Sequence, residues 1–427
     1  MNTPSPVPIP DQIDVRPGPA LLVGIDEGPG LVRHRDRYPA LPTPGVDALA
    51  DLTDRVRLRG RGGAAFPFAT KLRAAAEGRR RAAVVINASE GEPASAKDSA
   101  LALTRPHLVL DGAVVTSHAL GARDLHVILP GERPDVAARV RAALAERDDG
   151  LRVHEHVAGN RFVAGQARAV LELMAGRPGY PVTAWQPEAV HGHRGRPTLL
   201  SNAETWAQVG RLLHEGESGY RRHGTSREPG TALLTLGLRD RRPIVREVGY
   251  GARLRDVLPD EAHGRPALIG GFHGSWATWP TLASLRLSVD GMRTLGTPLG
   301  AGVIFTPGPG ECPVRLTSRI VDYLAGQSAR RCGPCLNGLP ALAAAVRAVA
   351  DGSGSTDRVT QLAGLVERRG ACAHPDGTAR LVRSLLVSMP DEVDLHVQGA
   401  CGYARRARAA EPGSRIHVVP EWEGEAS

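Results

Sequence analysis

Apolar residues recur along this chain at two spacings, and the spacings mark different elements. Over residues 46–56 and 69–78 they fall three and four apart, the stripe of an amphipathic helix. Residues 83–86 are instead an unbroken apolar run rich in β-branched side chains, which predicts a buried strand. Residues 107–120 then read as helix, 125–129 as strand and 135–146 as helix again. Strand alternating with helix predicts an α/β layer with a mostly parallel sheet. Ligands of such sheets sit at the carboxyl ends of strands, where the loop 87–93 falls.

From Thr231 the texture changes. Residues 231–238, 244–248 and 267–269 predict strands, 254–258 a short helix and 300–305 a further strand. That is a small α+β module about the size of a ubiquitin-like domain. After Pro307-Gly308-Pro309-Gly310 the pattern is helical: Leu316, Ile320, Tyr323 and Leu324 share one stripe, and Leu339, Leu342, Val346 and Val349 another. The expected organisation is an arm at 1–44, an α/β domain at 45–230, the small module at 231–306, a helical domain at 307–395 and a tail at 396–427. The first 19 residues are Pro-rich and lack a basic start followed by an apolar core, so they read as an extended arm and not as a signal peptide.

Composition narrows the classes. A chain of 427 residues holds two to four domains, and 42% hydrophobic with 23% charged residues is a soluble globular balance. The formal net charge of +8 invites a nucleic-acid reading. Its arginines are spread along the chain without interleaved stacking aromatics, so no nucleic-acid partner is expected. No apolar run approaches the roughly 20 residues that cross a bilayer, so the chain is not expected to span one. Five cysteines, an odd number, argue against a disulfide framework and for a cytoplasmic setting.

The candidate chemistry begins at Arg59-Gly60-Arg61-Gly62-Gly63-Ala64-Ala65-Phe66-Pro67. Successive glycines let backbone N–H groups approach a phosphate, and a helix N-terminus follows. Alone the loop also fits a flexible turn; it is neither G-x-G-x-x-G nor a P-loop. Lys71 and Lys97 are the chain's two lysines, and an ammonium acts as a point charge on phosphate or carboxylate where a guanidinium demands room for a planar fork. The acidic loop Asn87-Ala88-Ser89-Glu90-Gly91-Glu92-Pro93 offers carboxylates to ribose hydroxyls, an amide or a flavin edge; its bland reading is a solvated turn. The other motif is Cys332-Gly333-Pro334-Cys335 with Cys372 downstream. A redox dithiol, a zinc site, an iron–sulfur site and inert buried thiols all remain open for it, and Arg330 and Arg331 disfavour the last.

Taken together, these runs resemble the family of FMN- and NADH-binding flavoprotein subunits of complex I-type NADH dehydrogenases. The resemblance continues through Gly195-Arg196-Pro197-Thr198, Asn202-Ala203-Glu204-Thr205, Arg246-Glu247-Val248-Gly249, Gly270-Gly271 and Gly300-Ala301-Gly302-Val303-Ile304 into the cysteine segment, in the family's order over roughly residues 45–390. It implies an FMN-binding α/β domain, a β-grasp module similar to soluble-ligand-binding (SLBB) modules, and a C-terminal four-helix iron–sulfur domain. It further implies that Gly62, Gly63, Ala64 and Lys71 hold the FMN phosphate, and that Asn87, Glu90, Asn202 and Thr205 line the flavin. Phe66 would stack on NADH, Glu92 would approach it, and Gly165 belongs to the same wall. Cys332, Cys335 and Cys372 would ligate a 4Fe–4S cluster. Electrons would pass from NADH through FMN and the cluster to a ferredoxin or thioredoxin-like 2Fe–2S protein, within a larger oxidoreductase complex. Lys97, beside Asp98, is expected to buttress the acidic loop.

The chain departs from the family at specific places. Ala329 stands where the first cluster cysteine is expected, leaving Cys312, Cys401 or His374 as candidate replacements. Gly165-Gln166-Ala167 replaces a Gly-Glu-Glu run, Ala74 replaces an aromatic, and Ser89 an aspartate. Each lost charge-assisted hydrogen bond costs about 1.5–3 kcal/mol, tenfold or more in affinity. A relay flavoprotein that no longer uses NADH, and a non-catalytic assembly protein, therefore stay open beside the NADH dehydrogenase reading.

Overall fold

The computed structural model describes residues 4–7, 12–39, 41–239 and 241–404. Its strands in chain order are β1 (Asp14–Val15), β2 (Ala83–Asn87), β3 (Asp124–Pro130), β4 (Arg152–Ala158), β5 (Thr198–Asn202), β6 (Thr231–Leu238), β7 (Ile244–Gly249), β8 (Ala267–Ile269), β9 (Ser275–Ala277) and β10 (Val303–Thr306). The apolar runs at β2 and β3 are buried along their whole length. They form the centre of a four-stranded sheet of order β4-β3-β2-β5, parallel throughout. From β2 the chain steps outward to β3 and β4, then returns to place β5 on the other side of β2. That reversal creates a crevice at the carboxyl ends of β2 and β5, where such sheets bind ligands.

Helices Pro106–Ala119 and Ala203–Tyr220 cover one face of this sheet, and Ala167–Met174 the other. The first two cross at glycines. A Cβ on Gly112 would lie 2.0 Å from the Trp206 carbonyl oxygen, and one on Gly210 2.3 Å from that of Leu108, so the backbones approach as no larger residue allows. The second sheet is mixed, in the order β1-β7-β6-β10-β8-β9. Beyond it, helices Pro313–Gly326, Leu339–Ala350, Thr356–Val366, His374–Ser388 and Pro390–Val397 bury the two apolar stripes together with Phe272 and Trp276. Among the described residues, no helix is long and apolar enough to cross a membrane.

Several elements differ from the sequence expectation. The arm is more than an extended segment: β1 pairs with β7, and beyond the first 19 residues Leu31–Arg37 is a helix whose His34 and neighbour Arg35 meet buried Asp111. β4 lies at an edge, and its exposed polar side chains hide the apolar signature of a strand. β10 starts at Val303 and not at Gly300, because a turn closed by the Gly302 N–H on the Leu299 carbonyl (2.9 Å) precedes it. The last helix reaches Val397, two residues into the expected tail, and residues 398–404 fold back against it, while 405–427 lie outside the described residues.

Candidate active site at the carboxyl edge of the parallel sheet

Asn87 and Asn202 close β2 and β5 as register partners, so the two strands deliver both side chains to one place. Asn87 donates to the Gly165 carbonyl (2.9 Å) and accepts from the Ser89 hydroxyl (2.6 Å). Asn202 caps helix Ala203–Tyr220, accepting from the Thr205 N–H (3.3 Å), and its amide donates to Asp98 (2.9 Å). The Thr205 hydroxyl donates to Asn202 (2.5 Å) and accepts from the Arg61 N–H (2.8 Å), which fastens the glycine-rich loop to the β5 end of the sheet.

The loop is closed at its neck by the Arg59–Pro67 bridge and by the Gly60 N–H on the Phe66 carbonyl (2.9 Å). Arg61 turns inward, donating to the Thr231 carbonyl (3.2 Å) with its guanidinium over the Tyr250 ring. Gly63 has φ +100°, and a Cβ on Gly62 would meet nothing within 4 Å. Among the described residues no protein acceptor takes the N–H of Gly62, Gly63 or Ala64. These unclaimed donors and open glycines face a cleft of about 590 Å³, which also carries Phe66, Lys71, Asn87, Glu90, Glu92, Gly165, Asn202 and Thr205. Every cofactor-binding candidate read from the sequence thus converges on one cavity.

The charged groups are already engaged. Lys71 donates to the Leu200 carbonyl (3.0 Å) and pairs with Glu188 (3.0 Å). Lys97 is buried between Asp98 (2.9 Å) and Glu204 (3.0 Å); burial would depress its ammonium, but those carboxylates hold it above the ordinary lysine range. Glu90 accepts the Asp98 and Ser99 N–H groups (3.1 Å each) and the Ser95 and Ser99 hydroxyls, so it caps helix Lys97–Thr104. Burial, then the Asp98 charge, raises its carboxyl. Glu92 accepts from the N–H groups of Phe272 (2.8 Å) and Ala94 (3.2 Å), and burial pushes it up to about 8. Glu90, with four donors, is left no acceptor site for a ribose, whereas Glu92 accepts only two. Gln166 and Ala167 line the cleft where the family has carboxylates, and Ala74 packs against the core.

Cys335 is buried, with Cys332 and Cys372 partly exposed around it. Burial and the neighbouring Cys332 push the Cys335 thiol up to about 12; burial also raises Cys372, against a hydrogen bond from Gln166. Ala373 lines the cleft together with His273, Gly377 and Arg380, so the cysteine segment forms part of its wall. Among the described residues no fourth thiol joins the three: Cys312 and Cys401 gather elsewhere with Glu392 and His396. His374 has both ring nitrogens taken, by the Leu324 carbonyl (2.8 Å) and by His273 (3.0 Å). The sequence reading missed Arg61, Glu188 and His273. Arg61 stood inside the glycine-rich loop, whereas nothing local marks Glu188 or His273 as neighbours of this site.

The Nuo51 FMN-binding domain family matches residues 53–211, and the iron–sulfur binding region of NADH-ubiquinone oxidoreductase F matches residues 315–396. The NADH-quinone oxidoreductase F subunit of Mycobacterium bovis is 30% identical over 401 residues, 86% of this chain and 89% of that protein. The F 2 counterpart from Rhizobium meliloti is 28% identical over 380 residues, 82% of this chain and 89% of the other. A solved NAD+-reducing [NiFe]-hydrogenase shares the fold, with TM-score 0.78 at 23% identity over 90% of this chain and 68% of that one. With the cleft, the cysteine segment and their order along the chain all accounted for, the chain belongs to the flavoprotein oxidoreductase family of NADH-quinone oxidoreductase F subunits.

Proposed function

We propose that this chain is an electron-entry flavoprotein that binds FMN in the cleft, accepts NADH at the Phe66 rim, and holds an iron–sulfur cluster on Cys332, Cys335 and Cys372. The observation that carries this reading is that Ala373, next to Cys372, lines the same cavity as the glycine-rich loop. The unclaimed N–H groups of Gly62, Gly63 and Ala64 suit a phosphate, and Lys71 supplies the cation beside them. Asn87, Asn202 and Thr205 orient the ring system from the sheet edge, and half-exposed Phe66 offers a stacking face. Bound flavin supplies the conversion of a two-electron hydride into single electrons. Gln166, lying between cleft and Cys372, then faces both sites.

The second sheet is read as an SLBB-like β-grasp module and four of the five terminal helices as the cluster domain. The acceptor is proposed to be a ferredoxin or thioredoxin-like 2Fe–2S protein inside a larger cytoplasmic complex. A second reading, an FMN relay that does not use NADH, is favoured by one observation. Glu90 is committed to four donors and Glu92 to two, and Gln166 and Ala167 add no carboxylate. The test is to purify the chain anaerobically, record its flavin bands and add NADH. Bleaching supports NADH oxidation, flavin that stays oxidised supports the relay, and absence of flavin overturns both in favour of a non-catalytic assembly protein.

A further inference from the structure

Away from the cleft, Cys312, Glu392, His396 and Cys401 bring four metal-ligating atoms within 4.8 Å of one another, all on buried residues. Cys312 precedes helix Pro313–Gly326, the first of the helical segment, whereas Glu392 and His396 lie one turn apart on Pro390–Val397, the last. Cys401 follows on the chain that leaves that helix. The edges between these atoms are short: Cys312 Sγ lies 3.2 Å from His396 Nε2 and 3.6 Å from Glu392 Oε1, and the last two are 3.5 Å apart. Ligands at about 2.0–2.3 Å from a tetrahedral zinc are separated by roughly 3.3–3.8 Å, so these three atoms already stand close to three corners of a zinc shell, with the Cys401 Sγ within 4.8 Å of each.

Two further features point the same way. The other ring nitrogen of His396, Nδ1, lies 2.8 Å from the Ala350 carbonyl. An N–H there fixes the tautomer that turns the Nε2 lone pair toward Cys312, the outer-shell arrangement of metal-bound histidines. Glu392 is buried, and among the described residues no lysine or arginine pairs with it; its partners are the Gly402 N–H (3.0 Å), Cys312 and His396. A buried carboxylate lacking a cation is costly, and a divalent ion supplies one. The His34–Asp111–His214 group differs in this respect, because Arg35 and Arg147 already neutralise its carboxylate.

We propose that Cys312, Glu392, His396 and Cys401 form a structural zinc site, separate from the flavin and iron–sulfur centres, that staples the start of the helical segment to its end. Two thiolates, one imidazole and one carboxylate are a tetrahedral donor set for zinc, and four protein ligands leave no open position for chemistry. Binding releases the two thiol protons to solvent. The test is elemental analysis of the whole chain isolated with its other cofactors. About one zinc per chain is expected, retained through dialysis against EDTA. Cys312→Ser and Cys401→Ser should each lose zinc while iron and flavin contents stay unchanged. As a measurement on the unaltered chain, cobalt(II) exchanged for zinc should give visible ligand-field bands of tetrahedral intensity with a thiolate charge-transfer band. Less than about a tenth of a zinc per chain even after incubation with zinc salt would overturn the site. Zinc kept by both variants, an octahedral cobalt spectrum, or a Cys312–Cys401 disulfide in a mass map would do so equally.

Discussion

Lys71 stands at the edge of the cleft with its ammonium between the Glu188 carboxylate and the Leu200 carbonyl. A phosphate arriving at the glycine-rich loop offers that ammonium a stronger partner, and Glu188 keeps it preorganised until then. Lys71→Ala should therefore weaken FMN binding by about 1.5–3 kcal/mol, roughly tenfold to a hundredfold, measured by titrating apoprotein with FMN fluorescence. Unchanged affinity would remove the phosphate role. Glu92 makes a different prediction. Its folded-state carboxyl titrates near 8 against an ordinary 4.5, because the cleft wall shields it from water. The folded protein thus holds a proton that the unfolded chain has released. This contribution to stability is fullest below about pH 4.5 and is lost as pH rises toward 8. Glu92→Gln, which cannot titrate, should flatten the stability profile across that window in urea titrations. An identical profile in both proteins would show that Glu92 ionises normally.

At the scale of elements, Asp111 is the joint that holds the arm. It sits wholly buried on helix Pro106–Ala119, accepting from His34 (2.6 Å), His214 (2.8 Å), Arg147 (2.8 Å) and Arg35 (3.1 Å). Burial alone would raise its carboxyl, but His214, His34 and Arg147 hold it well below the carboxylate range, so its contribution is lost only as pH falls. Asp111→Asn removes the carboxylate that His34, His214, Arg35 and Arg147 share, although Arg147 keeps Asp149, and should cost about 1–3 kcal/mol, with proteolysis appearing first in the helix Leu31–Arg37. Protection equal to the unmutated chain would refute the joint. This arm shows what the sequence conceals. Nothing local announces the helix Leu31–Arg37, because the contacts that hold it lie far away at Asp111. The strands β2 and β3 were legible because burial on both faces writes an unbroken apolar run. Edge strand β4 was not, since Arg152, His154 and Glu155 face water. In the cleft the glycines and Asn202 were legible from local backbone needs. That Glu90 serves as a helix cap was not, because its donors come from Ser95, Asp98 and Ser99, which the acidic-loop motif does not include.

Across the whole molecule, the cleft and the cysteine segment meet at Gln166 and Ala373, so under the proposed function a flavin in the cleft and a cluster on the cysteines would lie side by side. The weak point lies beyond it, at the cluster. A 4Fe–4S centre as a rule takes four thiolates, and the three that converge are Cys332, Cys335 and Cys372. Neither Cys312 nor Cys401 is available, since both face Glu392 and His396, and His374 is hydrogen-bonded at both nitrogens. By the family resemblance the fourth corner of the proposed cluster falls to Ala329, whose methyl group cannot ligate. One iron held without a protein thiolate should be the first to leave, so the cluster should lose iron readily to a chelator. Ala329→Cys supplies the missing thiolate without touching the cleft, whose lining does not include residue 329. The variant should carry more iron per chain and surrender it to a chelator roughly tenfold more slowly, with FMN content unchanged. If instead iron content and its rate of loss match the parent chain, the cluster draws its fourth ligand from elsewhere, and the substitution at Ala329 has already been compensated.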